Sequence, residues 1–390
     1  MSLQVIDPLT YAVLGPNATF RPDAFSTPFF NPTNATPPCI QVFDDAFYDI
    51  LGDSPLLALV AESNLTTEAG VPKALAHEAP VWIAATDEVF FASAAGEEGE
   101  DEDGWPRNNR VSKISMQDVE RAAGAGIADA EIVDLPIPET LQNTNGGTGL
   151  YFGDILLATS GRGELPPSLV RVNPASPYNT TVILDNFFGR QFNSLNDVKV
   201  HPKTGKILFT DVTARSRLFS FLTGFRPEPQ MPNQVYVLDP ATGSVRVIAD
   251  GFVRCNGIAL TPDGETAYVT DTGAGGGIWG TNSTLPATIY AYDVHPRTHA
   301  LTNRRVFAYT DAGIADGIQV DADGNVYAGC GDGTQVWDQD GTLLGKFFLG
   351  TTSANMAFAG DGRLVILAEQ KVYYAKIAAR AGVVEYPLKE

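Results

Sequence analysis

Three stretches of the chain line up on one another: NDVKVHPKTGKILFTD from Asn196, NGIALTPDGETAYVTD from Asn256 and DGIQVDADGNVYAGC from Asp316. Their first residues are 60 apart twice over, and self-similarity at a fixed period marks a repeat architecture. Each stretch reads as a polar head, a short alternating strand, a turn and a second strand. The turns fall at 203–205, Asp263-Gly264 and Asp323-Gly324, and Asp-Gly is the strongest short hairpin signal. A weaker copy, NMAFAGDGRLVILAE, begins at Asn355 and turns at Asp361-Gly362. EAPVWIAATDEVFFAS begins at Glu78, 118 residues or about two periods before Asn196, and NGGTGLYFGDILLATS (145–160) fills the slot between them. Six units result, headed near residues 78, 145, 196, 256, 316 and 355.

Further strands follow each pair, as in NQVYVLDPATGSVRVIAD (233–250). Repeated four-stranded meanders are the blades of a β-propeller, so the expected fold is all-β, a six-bladed ring that leaves only short edges. The last unit ends one strand short after KVYYAKI (371–377), and LLALVAES (56–63) is the segment expected to complete it and fasten the ring. Residues 1–55 carry no usable period and are expected to form an arm on the propeller, which itself spans 56–390 as one domain. EEGEDEDG (97–104) reads as a solvated acidic loop. SMQDVERAAGA (115–125) is the one clear short helix, with Ser115 at its start three residues before Asp118.

Gly (38) and Pro (26) are abundant, which favours tight turns over long helices. A net charge of −20 makes nucleic acid and anionic membrane surfaces poor partners. No apolar run approaches the roughly 20 residues of a bilayer span. The opening MSLQVIDPLT lacks the basic and apolar regions of a signal peptide, while N-x-S/T sequons begin at Asn17, Asn34, Asn64, Asn179 and Asn282. The expectation is a secreted glycoprotein in its mature form, a monomer or homodimer. Cys39, Cys255 and Cys330 allow at most one disulfide and otherwise serve as small buried hydrophobes.

QFNSLNDVKV (191–200) crowds Asn193, Asn196 and Asp197 in front of the strand residues Val198 and Val200. A strand entering a core rarely opens on so many amides and acids. In a propeller the innermost strand of each blade lines the channel and starts at its mouth. The heads Glu78, Asn196, Asn256 and Asp316 therefore converge, with Asp197 and Asn193 expected to hold the turn that aims Asn196. Two carboxylates and two amide carbonyls form an all-oxygen set suited to a hard cation, Ca²⁺ above all. Zinc is disfavoured, because the histidines and cysteines show no ligand spacing and HEAPV lacks the second His of HExxH. The bland alternative is that each head bonds only backbone in its turn. There is no G-x-S-x-G elbow, P-loop or G-x-G-x-x-G after a strand; GAGGGIWG (273–280) is a loop.

EAPVW resembles the E-G-P-V-W opening of the gluconolactonase/regucalcin (senescence marker protein) superfamily, and the three aligned stretches resemble its other metal-bearing segments in the same order. HEAPVW, NGGT, PYNTT, FGRQFNSLND, NQVY, YVTDTG, FAY and YAGCGDG are closer still to the fungal lactonohydrolases, secreted hydrolases of aldonate lactones and D-pantolactone. The resemblance implies calcium ligands at Glu78, Asn196, Asn256 and Asp316. Two positions depart from it: Ala79 stands where the superfamily usually has Gly, and Ser194 where regucalcin has a substrate-contacting Arg.

The implied reaction is calcium-dependent hydrolysis of a small-molecule lactone, lost on chelation by EGTA. The metal would polarise the carbonyl and Asp316 would act as general base or nucleophile. His77 is a proton shuttle or, since strand alternation points it away from Glu78, a packed structural residue. Asn143, Asn145, Tyr151, Trp82 and Asn355 are candidates for the pocket wall, against the plainer reading of turn and blade packing. The same ligand pattern also fits a calcium phosphotriesterase of the diisopropyl fluorophosphatase type, and a non-catalytic calcium-binding propeller is the alternative from another class.

Overall fold

The computed structural model describes residues 2–7, 31, 33–66, 70, 72–95, 107–212, 230–276, 280–382 and 385–387. Six sheets, each built on a four-stranded antiparallel meander, are arranged as blades, and a hairpin of Asn186–Phe187 with Arg190–Gln191 lies between the second and third. The inner strands are Glu78–Ile83, Thr144–Tyr151, Leu195–Val200, Cys255–Leu260, Ile318–Val320 and Asn355–Phe358. Each packs against the next, and the sixth returns to the first, closing a six-bladed propeller. The hairpin turns fall where the repeat put them, with Gly205, Gly264, Gly324 and Gly362 all at positive φ.

Second strands such as Ile207–Asp211 and Val326–Cys330 are buried throughout, because neighbouring blades cover both faces. The apolar side chains they present form clusters between blades rather than one central core. Between blades 2 and 3, Phe209 stacks on Tyr236 at 5.3 Å while Phe192 meets both edge-on. Burying one such ring stabilises the fold by roughly 1.5–3 kcal/mol.

Leu56–Glu62 pairs antiparallel with Lys371–Lys376, from Leu56↔Lys376 to Glu62↔Lys371, so blade 6 is completed by an early strand. Blade 5 is widened by Cys39–Val42, antiparallel to Leu343–Phe348, and by Ser2–Val5, parallel to Cys39–Val42. A helix absent from the sequence reading, Phe47–Leu51, follows. Phe47 fills the space over Gly345, where a Cβ would lie 2.1 Å from its ring. The expected helix runs Met116–Ala125 with Ser115 at its N-cap, but the Ser115 side chain makes no capping bond. Asp118 instead accepts from Arg121 and from the Glu131 N–H. The acidic stretch 97–104 lies outside the described residues. Cys39, Cys255 and Cys330 are buried free thiols.

At the end of the channel away from the strand heads, the C-terminal segment runs beneath the ring. Ala378 bonds Ile50, Arg380 accepts from Ala322, and Glu385–Tyr386 pairs parallel with Leu150 and Tyr151 of blade 2.

At the head end, bare glycine backbones bring blade onto blade. A Cβ at Gly146 would lie 2.3 Å from the Asn196 carbonyl oxygen, one at Gly257 2.5 Å from that of Asp316, and one at Gly317 2.2 Å from the Asn355 amide carbon. Each Gly follows one head residue and abuts the next. Gly257→Ala is therefore expected to lose about 2–3 kcal/mol, the upper part of the range for overpacking. The clash falls on the Asp316 backbone, and the midpoint of urea unfolding measures the loss.

Candidate metal and catalytic site

The heads are aimed by a local irregularity. Register shifts occur between Glu78 and Val81, Thr144 and Gly147, Leu195 and Val198, and Cys255 and Ile258. Such bulges insert an extra residue, bend the strand and re-aim a side chain. In blade 1 the bulge includes Ala79 at φ +52°, a left-handed conformation that explains why Gly suits this position. The alternation expected for His77 and Glu78 does not apply, because the strand begins at Glu78 and His77 precedes it; a ring nitrogen of His77 and carboxylate oxygens of Glu78 and Asp316 all lie within 4.8 Å of one another.

A repeated Thr-Asp pair at the end of the second strand holds the heads. Thr210 Oγ1 accepts from the Asp197 N–H (3.0 Å) and donates to the Asn256 carbonyl (2.7 Å). Thr270 Oγ1 accepts from the Gly257 N–H (2.7 Å) and donates to the Asp316 carbonyl (3.0 Å). Asp211 caps the N–H groups of Asn193 and Ser194, as Asp271 does for Val253 and Arg254. These pairs were visible as the shared TD of FTD and VTD, a signal the sequence reading left unused. Asn193 holds its loop by accepting from Gln230 and Met231. Asp197 works differently from expectation, since its carboxylate accepts from the Ile258 N–H and ties blade 3 to blade 4.

Asn256 hydrogen-bonds the Asp316 carboxylate, and Asn355 Nδ2 donates to Glu78 at 2.8 Å. Two of the head-to-head links are thus direct, Asn256 to Asp316 and Asn355 to Glu78. Asn143 and Asn145 lie at the same end of blade 2: Asn143 Nδ2 donates to Gly161, and Asn145 Nδ2 is 3.4 Å from Ser160 Oγ. The Asn143 Oδ1 is buried and has no partner among the described residues.

Trp82 and Tyr151 are not part of this assembly. Trp82 is four residues beyond Glu78, about 13 Å along the strand. Its Nε1 donates to Asp87, and the Arg363 guanidinium lies 5.6 Å from its ring. It lines a small polar cavity of about 50 Å³ with Pro80, Gly149, Lys199, Gln319 and Gly382, at the far end of the channel. Tyr151 stacks on Tyr386 at 5.8 Å and anchors the C-terminal segment. Both belong to the closure of the ring rather than to the pocket wall.

Glu369, which the sequence reading missed, places both carboxylate oxygens 3.1 Å from His77 Nδ1. Burial opposes a charged ring there, yet Glu369 by charge and hydrogen bond, with Glu78 and Asp316 behind it, lifts the His77 pKa to about 10. Burial and then the charge of Asp316 push Glu78 well above the usual carboxylate range. Burial also raises Asp316, from 3.8 to about 6, against the pull of His77. Two mutually repelling carboxyls flanked by carboxamides are an all-oxygen donor set, and a hard dication bound between them would remove the repulsion. The residues present fit calcium.

The protein is thus a six-bladed propeller with a candidate metal site at the shared end of its inner strands. The chain belongs to the family described as SMP-30/Gluconolactonase/LRE-like region, whose profile it matches over residues 78–368. It is 29% identical over 314 residues to lactonohydrolase oryL of Aspergillus oryzae, covering 74% of this chain. The match takes in 64% of that relative, so the chain spans less than two thirds of its length. Among solved structures it resembles a gluconolactonase from Xanthomonas campestris, with a TM-score of 0.64 and 23% identity over 87% of this chain and 94% of the other. It also resembles a calcium-binding protein, regucalcin, from Agrobacterium tumefaciens, with a TM-score of 0.54 and 15% identity over 85% of this chain and 98% of the other.

Proposed function

We propose that this chain is a calcium-dependent lactonase that hydrolyses 1,4-lactones, such as aldonolactones and D-pantolactone, to hydroxy acids. The observation that carries this reading is the convergence of His77, Glu78 and Asp316 within 4.8 Å at the channel mouth. Glu78, Asn196, Asn256 and Asp316 would hold the calcium ion, which when bound supplies a Lewis acid for the carbonyl and its developing oxyanion.

The protein's own groups do the rest. Asp316 accepts a proton from the attacking water, or itself attacks the acyl carbon to give an acyl-enzyme anhydride that water then hydrolyses, freeing the Asp316 carboxylate. The bond from acyl carbon to ring oxygen breaks, and His77 returns a proton to that oxygen as it becomes the hydroxyl of the product. Asn143, Asn145 and Asn355, all on the head side of the ring, orient the substrate's hydroxyl groups. The family membership and the lactonohydrolase relative support this choice of substrate class.

Acid release from a panel of chiral 1,4-lactones should be abolished by EGTA and restored by calcium. Turnover that survives chelation, or organophosphate turnover exceeding that of lactones in kcat/KM, overturns the reading. Calcium at about 100-fold its Kd should also stabilise the protein by about 2.7 kcal/mol, read as a rise in unfolding midpoint. We also propose secretion with N-glycosylation, which the exposure of Asn34, Asn64, Asn179 and Asn282 supports; Asn17 lies outside the described residues. Mass loss on treatment with an endoglycosidase tests it.

A further inference from the structure

We propose that Glu369 is a positioning residue for this reaction, holding His77 through Nδ1 so that Nε2 is the ring nitrogen offered to the leaving oxygen. The inference rests on the lactonase reading and extends it to a side chain outside the six strand heads. Glu369 lies in the short turn between Arg363–Ala368 and Lys371–Lys376 of blade 6, whereas His77 leads into the inner strand of blade 1. The two meet across the seam where the ring closes.

The contact is built from the backbone upward. Ala76 N–H donates to the Glu369 carbonyl at 2.9 Å, and Glu369 N–H donates back to Ala76 at 3.1 Å. This two-way bridge fixes the Cα of Glu369 beside the residue preceding His77. Glu369 adopts φ +63°, a left-handed conformation that is uncommon for a residue with a side chain. The strained turn and the bridge together bring both carboxylate oxygens to 3.1 Å from Nδ1. On the His77 side, its own N–H is fixed to the Ala92 carbonyl at 2.9 Å.

A carboxylate on one ring nitrogen sets the orientation of an imidazole and decides which nitrogen is left for chemistry. With Nδ1 held by Glu369, the ring has one remaining nitrogen, and it lies on the side chain that joins Glu78 and Asp316 in the cluster. A pair serving stability alone would need no such placement, because any partner in the seam would do. Glu369 itself is not a member of that three-residue cluster, and its charge also raises the Asp316 pKa directly, so the effect that passes through His77 is the part a double-mutant cycle isolates.

The test is a double-mutant cycle of Glu369→Ala and His77→Ala in the full chain with calcium. Glu369→Ala should lower kcat about 10- to 100-fold, the usual effect of losing an outer-shell partner, with KM and calcium affinity within about 2-fold of the parent. Glu369→Gln, which can still accept from Nδ1–H, should recover most of the loss. In the His77→Ala background, Glu369→Ala should add less than about a 2-fold further loss, as coupled residues do. Parental kcat in Glu369→Ala, or an undiminished loss in the His77→Ala background, overturns the proposal.

A second readout needs no activity. The parent should show a downfield ring N–H proton resonance that disappears in His77→Ala, identifying it, and also in Glu369→Ala. Its survival in Glu369→Ala overturns the proposal even if no lactone is turned over. A parent that turns over no lactone but loses this resonance in Glu369→Ala fails the lactonase reading alone.

Discussion

Asp316→Asn is expected to lower kcat/KM for lactones by roughly a thousand-fold, the middle of the range for loss of a positioned acid–base group. The substitution is nearly isosteric, and the backbone anchors remain, since the Asp316 carbonyl still accepts from Thr270. What disappears is the negative charge that, in the proposed lactonase, attracts the cation and receives the proton. The stability of the calcium-free protein should move the other way. Asp316 has its folded pKa raised from 3.8 to about 6 by burial, above its unfolded value. A raised carboxyl pKa means the stabilising contribution is present at low pH and is lost as pH rises through about 6. With Asn at 316 that loss is absent, so the calcium-free variant at pH 8 should be no less stable than the parent. Its midpoint should no longer rise with calcium as the parent's does. A destabilised variant that still binds calcium as the parent does, or one that retains parental turnover, would contradict the assignment.

Lys346→Met should cost about 3–5 kcal/mol, the effect of breaking a buried ion pair by removing one partner. Lys346 and Asp332 are each only 1% exposed, and Lys346 Nζ lies 2.7 Å from Asp311 and 2.9 Å from Asp332. Gln335 donates to the same two carboxylates, and the Phe43 ring lies 5.5 Å from the ammonium. Burial alone would lower the lysine pKa, but the two aspartates raise it. Its contribution therefore persists through neutral pH and is lost only above the ordinary lysine range. Removing the ammonium leaves Asp332 buried without its cation, whereas Lys346→Met with Asp332→Asn should recover part of the loss. The Asp332 carbonyl also accepts from the Leu349 N–H. Urea unfolding of the single and double variants measures the coupling.

The six heads were legible because a propeller repeats one local rule. A polar head, an alternating strand and a Gly turn recur in the chain, and the shared end of the inner strands follows from their common direction. Trp82 and Tyr151 were misplaced because sequence proximity to a head says little about which end of the channel a side chain occupies. At about 3.3 Å per residue, a few positions carry a side chain from the mouth to the floor. Alternation likewise failed at His77, since the strand starts only at Glu78, and the point where pairing begins leaves no mark in composition.

The sequence by itself determined the blade count, the ring-closing strand at 56–62 and the residues that head each inner strand, because these depend on periodic pattern and on turn chemistry. Only the tertiary structure decided that Glu369 meets His77, 292 residues away, that Lys346 pairs with both Asp311 and Asp332, and that Gly146, Gly257 and Gly317 lie against the next head. Those contacts join non-homologous positions of different blades. No local propensity specifies such pairings; they arise when the closed ring brings separate turns into van der Waals range and a buried charge must find its partner.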